Sequence, residues 1–151
     1  MEEPPQPGRV GAAVSQLIGH GVGTATIRRA DAHCLPLEDE SVDLIVTSPP
    51  YFALRSYTDG GEHYDGQIGS EDTPAAFLEA LWAVTAECKR VLKPSGSMWV
   101  NLGDKYGDKS LMGLPWRYAI GCIDNLGLIL RAEVVWSKPN EIGRASCRER
   151  V

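Results

Sequence analysis

The sequence lacks a long apolar run, and none of its stretches approaches the roughly 20 consecutive apolar residues that a transmembrane helix needs. Residues 1–7, Met-Glu-Glu-Pro-Pro-Gln-Pro, have neither the basic stretch nor the apolar stretch of a secretory signal. Hydrophobic residues make up 43% and charged residues 23% of the 151 residues, which is typical of a globular protein. We therefore expect a cytoplasmic protein of one domain without membrane contact.

Cysteine and histidine are scarce and scattered. The chain has four cysteines and three histidines, and no C-x-x-C pair. A structural zinc site requires ligands at short, recognisable spacings. The sequence therefore predicts no metal site, and it predicts that the cysteines are free thiols (Cys34, Cys88, Cys122 and Cys147).

A surplus of positive charge is also absent, since the formal net charge is −5. Nucleic-acid backbones are bound by basic surfaces, which argues against a protein that coats nucleic acid without sequence preference. An enzyme that acts on nucleic acid through a local basic cleft is still compatible with this charge.

Hydrophobic periodicity predicts strands and helices in one domain over 25–140, after a poorly ordered segment over 1–24. Within that segment, residues 10–24 favour a helix or a loop. The elements predicted for the domain are strands over 25–30 and 41–47, a loop over 52–72, a helix from Thr73 to Leu92 that Pro94 and Gly96 end, a strand over 98–102, a helix from Pro115 to Gly127 and a strand over 128–136.

This order of elements predicts an α/β fold with a mostly parallel sheet. Residues 41–47 form an apolar run between breakers, which suits a strand buried on both faces. On the second helix we expect four side chains to face inward (Trp116, Ala119, Ile120 and Ile123). We also expect the tryptophans to lie in the core (Trp82, Trp99, Trp116 and Trp136).

The segment Thr47-Ser48-Pro49-Pro50-Tyr51 directly follows the second predicted strand. Ligands of open α/β sheets bind beyond the carboxyl ends of the strands. Two prolines stiffen the loop and remove two N–H donors. The exocyclic amino group of a base needs two acceptors, for which Ser48 Oγ and the Pro49 carbonyl are candidates. Tyr51 can stack on such a base, a contact worth about 1–3 kcal/mol, and a base in a duplex must flip out to reach it.

This segment resembles motif IV of the amino-methylating DNA methyltransferases, in which Asp, Asn or Ser precedes Pro-Pro and then Tyr or Phe. Further segments resemble the family in order, over a range from about Thr26 to Asn140: Asp31-Ala32, Gly66-Gln67-Ile68-Gly69 with the helix after it, Trp99-Val100-Asn101-Leu102-Gly103-Asp104, Leu114-Pro115-Trp116-Arg117, and residues 131–140. Several ordered segments are a far more specific signal than the short motif alone.

The resemblance implies a Rossmann-like methyltransferase fold, incomplete in this chain, with S-adenosyl-L-methionine (AdoMet) as cofactor. It implies double-stranded DNA with a flipped target base as substrate and direct methyl transfer without a covalent enzyme intermediate. It also allows a cognate restriction endonuclease as partner. The implied site residues are catalytic (Ser48, Pro49, Pro50 and Tyr51) or cofactor-binding (Asp31, Ala32 and Thr47).

Several alternatives stay open. Ser before the prolines goes mostly with cytosine-N4 in this family and Asp mostly with adenine-N6, so cytosine-N4 is favoured and adenine-N6 is the alternative. Relatives that methylate protein glutamine or ribosomal RNA guanine usually carry Asn there, and an inactive fragment that only binds DNA or a partner is a third class. From the residues alone, Ser48-Pro49-Pro50 also fits a plain turn, Asp31 a loop cap, and Tyr51 and Phe52 core aromatics.

The resemblance also points to an absence. Relatives with this motif early in the chain carry an F-x-G-x-G loop near the C-terminus, and this sequence has none; Gly19-His20-Gly21-Val22-Gly23 precedes the wrong element. Residues 141–151 look like the translation of a sequencing adapter, which predicts a non-native tail. In the full fold, two strands would lie between 25–30 and 41–47, so we expect an exposed edge, marginal folding, poor AdoMet binding and no methylation by the isolated chain.

Overall fold

The structure, a computed structural model, describes residues 24–54 and 66–137, together with the backbone of 14–16, 58–59 and 62–63. Its elements are β1 (Val14–Gln16), β2 (Ala25–Ile27), β3 (Val42–Thr47), β4 (Thr58–Asp59), β5 (Glu62–His63), α1 (Pro74–Val91), β6 (Leu92–Val100), β7 (Tyr106–Gly107), β8 (Ser110–Leu111) and α2 (Leu114–Asp124).

The central sheet is the parallel pair of β3 and β6. Val46 lies opposite Trp99 and Thr47 opposite Val100, so both strands end at the same edge. Just beyond it, the Asn101 amide donates to the Thr47 carbonyl at 2.9 Å. A parallel pair with helices in the same chain confirms the predicted α/β class. The other pairs are short and antiparallel (β1 with β2, β4 with β5, β7 with β8).

Helix α1 begins and ends close to the predicted residues. Thr73 is the N-cap, and its hydroxyl accepts from the Ala76 amide, while Pro74 takes the first turn, where a proline removes no helical hydrogen bond. The residues that α1 buries are those at helical spacing (Phe77, Leu78, Leu81, Thr85 and Val91).

The strand predicted over 98–102 begins earlier and covers Leu92–Val100, so the residues predicted to follow the helix as a break, Pro94 and Gly96, lie inside it. The helix itself ends at Val91. The register shifts here, because Val42 pairs with Leu92 and Leu44 with Ser97, and prolines are tolerated at such bulges. A Cβ at Gly96 would lie 2.7 Å from Leu92 Cδ1, which explains why the bulge carries a glycine.

Helix α2 also forms as predicted, and Gly127 follows its end with a φ of 64°, the left-handed conformation common after helices. Its predicted inward face was wrong, since Trp116, Ile120 and Ile123 are exposed and Ala119 is half-buried. The buried residues are Leu114, Tyr118, Gly121 and Cys122. Gly121 decides this orientation, because it leaves room for the Trp82 indole of α1.

The predicted strand over 128–136 does not form, and its side chains from Ile129 onward are exposed, Val135 by 81%. A strand needs a hydrogen-bonded neighbour, and among the described residues none pairs with this segment. For the same reason β3 is not buried on both faces, and Val46 is 73% exposed. Three of the tryptophans predicted in the core are exposed (Trp99, Trp116 and Trp136).

Near the N-terminus, Val14–Gln16 form a strand rather than a helix or loop, and the strand predicted over 25–30 covers only Ala25–Ile27. These two strands pair antiparallel, apart from the β3–β6 sheet. Residues 1–13, 17–23 and the predicted tail over 141–151 lie outside the described residues.

The core lies where α1, α2 and the turn after β3 meet (Phe52, Phe77, Leu78, Leu81, Leu114, Tyr118 and Cys122). Its polar groups are paired: the hydroxyls of Thr85 and Tyr118 lie 2.7 Å apart. Cys34, Cys88 and Cys122 are free thiols, as predicted, and burial raises the pKa of Cys122. No helix in the described part of the chain is long and apolar enough to cross a membrane.

Candidate active site

The Ser48-Pro49-Pro50 segment leaves β3 at the carboxyl edge of the parallel pair. Ser48 is exposed, and the two prolines are half-buried. Within the described part of the chain, no group donates a hydrogen bond to Ser48 Oγ or to the Pro49 carbonyl. These two acceptors are thus adjacent in the chain and unpaired within the described residues, and their role in binding a base stays a prediction.

The two aromatic residues after the prolines have different environments. Phe52 is buried, and its ring centroid lies 5.5 Å from that of Phe77. Tyr51 is half-buried against the backbone of Gly103. The core-aromatic alternative therefore describes Phe52, while part of Tyr51 stays open to solvent beside Ser48.

Residues 66–69 hold the turn that follows Tyr51 through hydrogen bonds. The Ala53 amide donates to the Gly69 carbonyl at 2.8 Å, and the Gly69 amide donates to Glu71 Oε2 at 2.8 Å. Gly69 has a φ of 98°, which favours glycine. The Gly-Gln-Ile-Gly segment therefore fixes the position of the turn that follows Tyr51.

Asp104 and Lys105 join the site from the end of β6, and the sequence reasoning assigned neither a role. Asp104 Oδ2 accepts from the Gly113 amide at 2.9 Å, so it connects the strand end to α2. Lys105 Nζ donates to the Ala53 carbonyl at 3.3 Å and lies 5.4 Å from the Phe52 ring centroid, within the range of a cation–π contact. Their position shortly after β6, which is parallel to β3, is the feature of the sequence that could have indicated them.

Asp31 and Ala32 lie in an exposed turn after β2. Asp31 Oδ1 accepts from the His33 amide at 2.9 Å, and this bond, with the His33 ring, lowers the pKa of Asp31. The loop-cap alternative therefore describes what Asp31 does in this structure. No hydrogen bond in the described part of the chain joins Asp31 or Ala32 to the Thr47–Tyr51 loop, and their cofactor role stays a prediction.

An ion-pair cluster fixes the segment of chain that precedes β3. Glu87 of α1 accepts from the Leu35 amide at 2.8 Å and from Arg90 Nη2 at 2.6 Å. Arg90 also donates to the carbonyls of Leu35 and Leu37 and to Asp39. The Arg90 guanidinium lowers the pKa of Glu87 to about 2. The segment before β3 is thereby held to the C-terminal turn of α1.

The described residues include no cluster of three or more His, Cys, Asp or Glu side chains that could hold a metal ion. One side-chain atom is suited to bind an organic cofactor. Asp31 Oδ2 has no hydrogen-bond partner in the described part of the chain, and an exposed carboxylate oxygen is a suitable acceptor for the hydroxyl groups of a ribose.

Comparison with known proteins shows the family of this chain. The model of a DNA methylase family matches residues 42–150, from the start of β3 to the residue before the last of the chain. This range includes most of 141–151, and the non-native origin of that tail stays a prediction. Type II methyltransferase M.XycI of Xanthomonas campestris pv. cyanopsidis is 38% identical over 133 residues, covering 69% of this chain and 42% of that protein.

Two further proteins extend the likeness. Type II methyltransferase M.SfiI of Streptomyces fimbriatus is 38% identical over 132 residues, covering 76% of this chain and 30% of that protein. The solved structure of the PvuII DNA methyltransferase (cytosine-N4-specific) superposes with a TM-score of 0.51 at 23% identity, covering 68% of this chain and 34% of that one. The chain thus spans less than half the length of these proteins.

The fold and the loop together define an α/β protein with a Ser-Pro-Pro-Tyr segment at the carboxyl edge of parallel strands. The chain belongs to the N6/N4 DNA methylase family. Members of this family use AdoMet as methyl donor, and the likeness to the PvuII enzyme confirms the methyltransferase fold, here in part.

Proposed function

We propose that this chain carries the target-base site of a site-specific DNA methyltransferase that methylates the exocyclic amino group of a flipped base, with cytosine-N4 as the favoured position. The observation that carries the proposal is the loop after β3. Its exposed Ser48 hydroxyl and its Pro49 carbonyl have no donor in the described part of the chain. Two free acceptors side by side suit an NH₂ group, which donates two hydrogen bonds.

In this proposal the chain positions the amino group rather than reacting with it. Ser48 Oγ and the Pro49 carbonyl each accept one amino hydrogen, which directs the nitrogen lone pair away from the loop. Tyr51, which is half-buried, stacks on the base through the part of its side chain that stays exposed. Holding two reactants in a productive orientation contributes about 7–11 kcal/mol in well-ordered cases.

AdoMet supplies the methyl group when it is bound. On this chain, Asp31 is the residue proposed to hold it, through the carboxylate oxygen that His33 does not occupy. Ala32 and Thr47 are proposed as further cofactor-binding residues. Calorimetric titration with AdoMet tests this part separately. We expect weak binding to the 151-residue chain, weaker still in Asp31→Ala. Tight binding to the wild type would contradict the proposal that the cofactor site is incomplete here.

The preference for cytosine-N4 rests on Ser48. The resemblance associates a neutral serine before the prolines with cytosine-N4 and an aspartate with adenine-N6. The PvuII enzyme, named as cytosine-N4-specific, shares the fold. Adenine-N6 methylation on the same loop is the second candidate, because the two acceptors fit either amino group. A cognate endonuclease and a cytoplasmic location belong to the same proposal.

Nucleoside mass spectrometry distinguishes these candidates. The chain is incubated with AdoMet and unmethylated plasmid DNA, and the digest is analysed for N4-methylcytosine and N6-methyladenine. In parallel, the matching segment of M.XycI is replaced by the segment of this chain, so that the loop is tested within a longer protein. We expect N4-methylcytosine from the chimera and no product from the isolated chain.

Two serine variants of the chimera test whether its activity depends on Ser48. Ser48→Ala should lower the yield of methylated base at least about tenfold, since about 1.4 kcal/mol of lost positioning gives that factor. Ser97→Ala, at an exposed position of β6, should match the unaltered chimera. If N6-methyladenine is the product, the cytosine preference is wrong. If Ser48→Ala is fully active, the proposed role of the loop is wrong.

A further inference from the structure

Two glycines that lie far from Tyr51 in the sequence contact it from different sides. An alanine Cβ at Gly103 would lie 2.7 Å from Tyr51 Cε2 and 3.1 Å from its Cδ2. At Gly69, a Cβ would lie 3.0 Å from the Tyr51 carbonyl oxygen and 3.1 Å from Pro50 Cβ. A side chain at Gly103 therefore requires the Tyr51 ring to move, and one at Gly69 requires a smaller shift of the Pro50–Tyr51 backbone.

The two contacts involve different parts of Tyr51. Gly103 meets only the ring, which can turn about its side-chain torsions. Gly69 meets the backbone carbonyl of Tyr51, so a side chain there would displace the loop itself. The first contact thus concerns the orientation of the ring, and the second concerns the position of the loop.

The turn after Tyr51 is also held by the core, by Lys105 and by the backbone of residue 69. Phe52 is buried against Phe77, and the Ala53 amide and carbonyl bind the Gly69 carbonyl and Lys105 Nζ. Because its C-terminal side is held, the loop cannot shift as a whole to relieve a contact at residue 103. We therefore expect the Tyr51 ring to rotate when a side chain is introduced there.

We propose that Gly103 is a positioning residue that sets the orientation of the Tyr51 ring, and that Gly69 positions the Pro50–Tyr51 backbone behind it. This rests on the proposed function, in which the ring stacks on the target base. Neither glycine touches the base. Stacking of a base on Tyr51 therefore requires that residues 69 and 103 carry no side chain.

Nuclear magnetic resonance tests the geometry without any substrate. In the full 151-residue chain we expect nuclear Overhauser contacts between the Gly103 α-hydrogens and the Tyr51 ring hydrogens. In Gly103→Ala these should be replaced by contacts of a turned ring, while contacts between Phe52 and Phe77 persist. Absence of the Gly103–Tyr51 contacts in the wild type would overturn the positioning proposal, whatever the enzyme does.

Binding of a single-stranded oligonucleotide that contains 2-aminopurine tests the consequence, because stacking quenches this base and no duplex needs to be opened. Tyr51→Leu and Gly103→Ala should each weaken quenched binding about fivefold or more, the factor that corresponds to the lower end of aromatic stacking. Gly103→Ala in a Tyr51→Leu background should have little further effect, because the ring it displaces is gone.

Gly66→Ala is the matched control for Gly69→Ala. Both glycines have positive φ, 81° and 98°, so both substitutions strain the backbone, but a Cβ at Gly66 meets nothing within 4 Å. We expect Gly69→Ala to weaken quenched binding and Gly66→Ala to leave it near wild type. If Gly66→Ala and Gly69→Ala weaken binding equally, the role of Gly69 is wrong. If the Tyr51 ring is turned in Gly103→Ala but the quenching is unchanged, the role of Gly103 is wrong. Wild-type chain with the Gly103–Tyr51 contacts but no quenching would refute the base-stacking role of Tyr51, and the proposal with it.

Discussion

Asp104 Oδ1 accepts a hydrogen bond from the Leu114 amide at 3.1 Å, ten residues further along the chain, and its Oδ2 accepts from the Gly113 amide at 2.9 Å. Leu114 is the first residue of α2, and the N-cap Gly113 has no side chain to cap the helix. The Asp104 carboxylate, four residues beyond the end of β6, therefore takes the place of an N-cap, where a negative charge also suits the helix dipole.

Replacing this carboxylate should destabilise the fold. Asp104→Ala leaves the amides of Lys105, Gly113 and Leu114 without their acceptor. Hydrogen bonds to charged groups are worth about 1.5–3 kcal/mol and helix caps about 0.5–2 kcal/mol, so we expect a loss of about 2 kcal/mol or more in the free energy of unfolding, measured by urea denaturation. Asp124→Ala, at the opposite end of α2, should be neutral or slightly stabilising. Equal effects of the two substitutions would contradict the capping role.

The contact between Gly121 and Trp82 should be intolerant of a methyl group. An alanine Cβ at 121 would lie 2.1 Å from Trp82 Cζ2, and overpacking of this kind costs about 1–3 kcal/mol. In a Trp82→Ala background, Gly121→Ala should instead be neutral or stabilising, because alanine has the better helix propensity. Thermal and urea unfolding of the four chains measure this coupling, and additive effects would show that the helices do not meet here.

The ion pair of Glu87 should make stability depend on pH in the acid range. Its pKa is lowered from 4.5 to about 2 in the folded state, so the folded chain binds this proton less readily than the unfolded chain. The resulting stability is complete above about pH 4.5 and is lost as the pH falls towards 2. In Glu87→Gln the decline of the urea midpoint between pH 5 and pH 2 should be flatter, whereas Glu79→Gln, at an exposed position of the same helix, should follow the wild type. A wild-type slope in Glu87→Gln would refute this origin of the acid sensitivity.

The uncovered side of β3 should promote self-association. Val46 is 73% exposed, and on the paired strand Trp99 is 56% exposed. Apolar edge strands with open hydrogen-bonding groups pair with other chains. Val46→Lys should lower the proportion of larger species in sedimentation velocity at equal concentration, while Val46→Ile should leave it unchanged. Equal association in all three chains would place the contact elsewhere.

Local signals predicted the elements that depend on local physics. Thr73 and Pro74 marked the start of α1, and Gly127 marked the end of α2, because caps and left-handed glycines act within a few residues. The Ser-Pro-Pro-Tyr segment could be found for the same reason, since its stiffness comes from its own prolines. The apolar run of 41–47 likewise predicted β3 to within one residue.

Features that depend on a partner were predicted less well. Which face of α2 is buried follows from the fit of Trp82 against Gly121, and the fate of 128–136 follows from whether a neighbouring strand is present. Neither is visible in a periodic pattern, which shows that a face is apolar but not what covers it. The roles of Asp104 and Lys105 were missed because the partners that join them to α2 and to the turn after β3 are nine or more residues away in the sequence.

The sequence by itself determined the class of fold, the bounds of α1, the loop that carries Ser48 and Tyr51, and the family to which the chain belongs, because each is encoded by neighbouring residues. The tertiary structure alone decided how that loop is held: Gly103 under the Tyr51 ring, Gly69 behind its carbonyl and Lys105 on the turn that follows. These contacts arise where β3 and β6 end side by side, and the parallel pairing that brings them together joins residues about fifty positions apart.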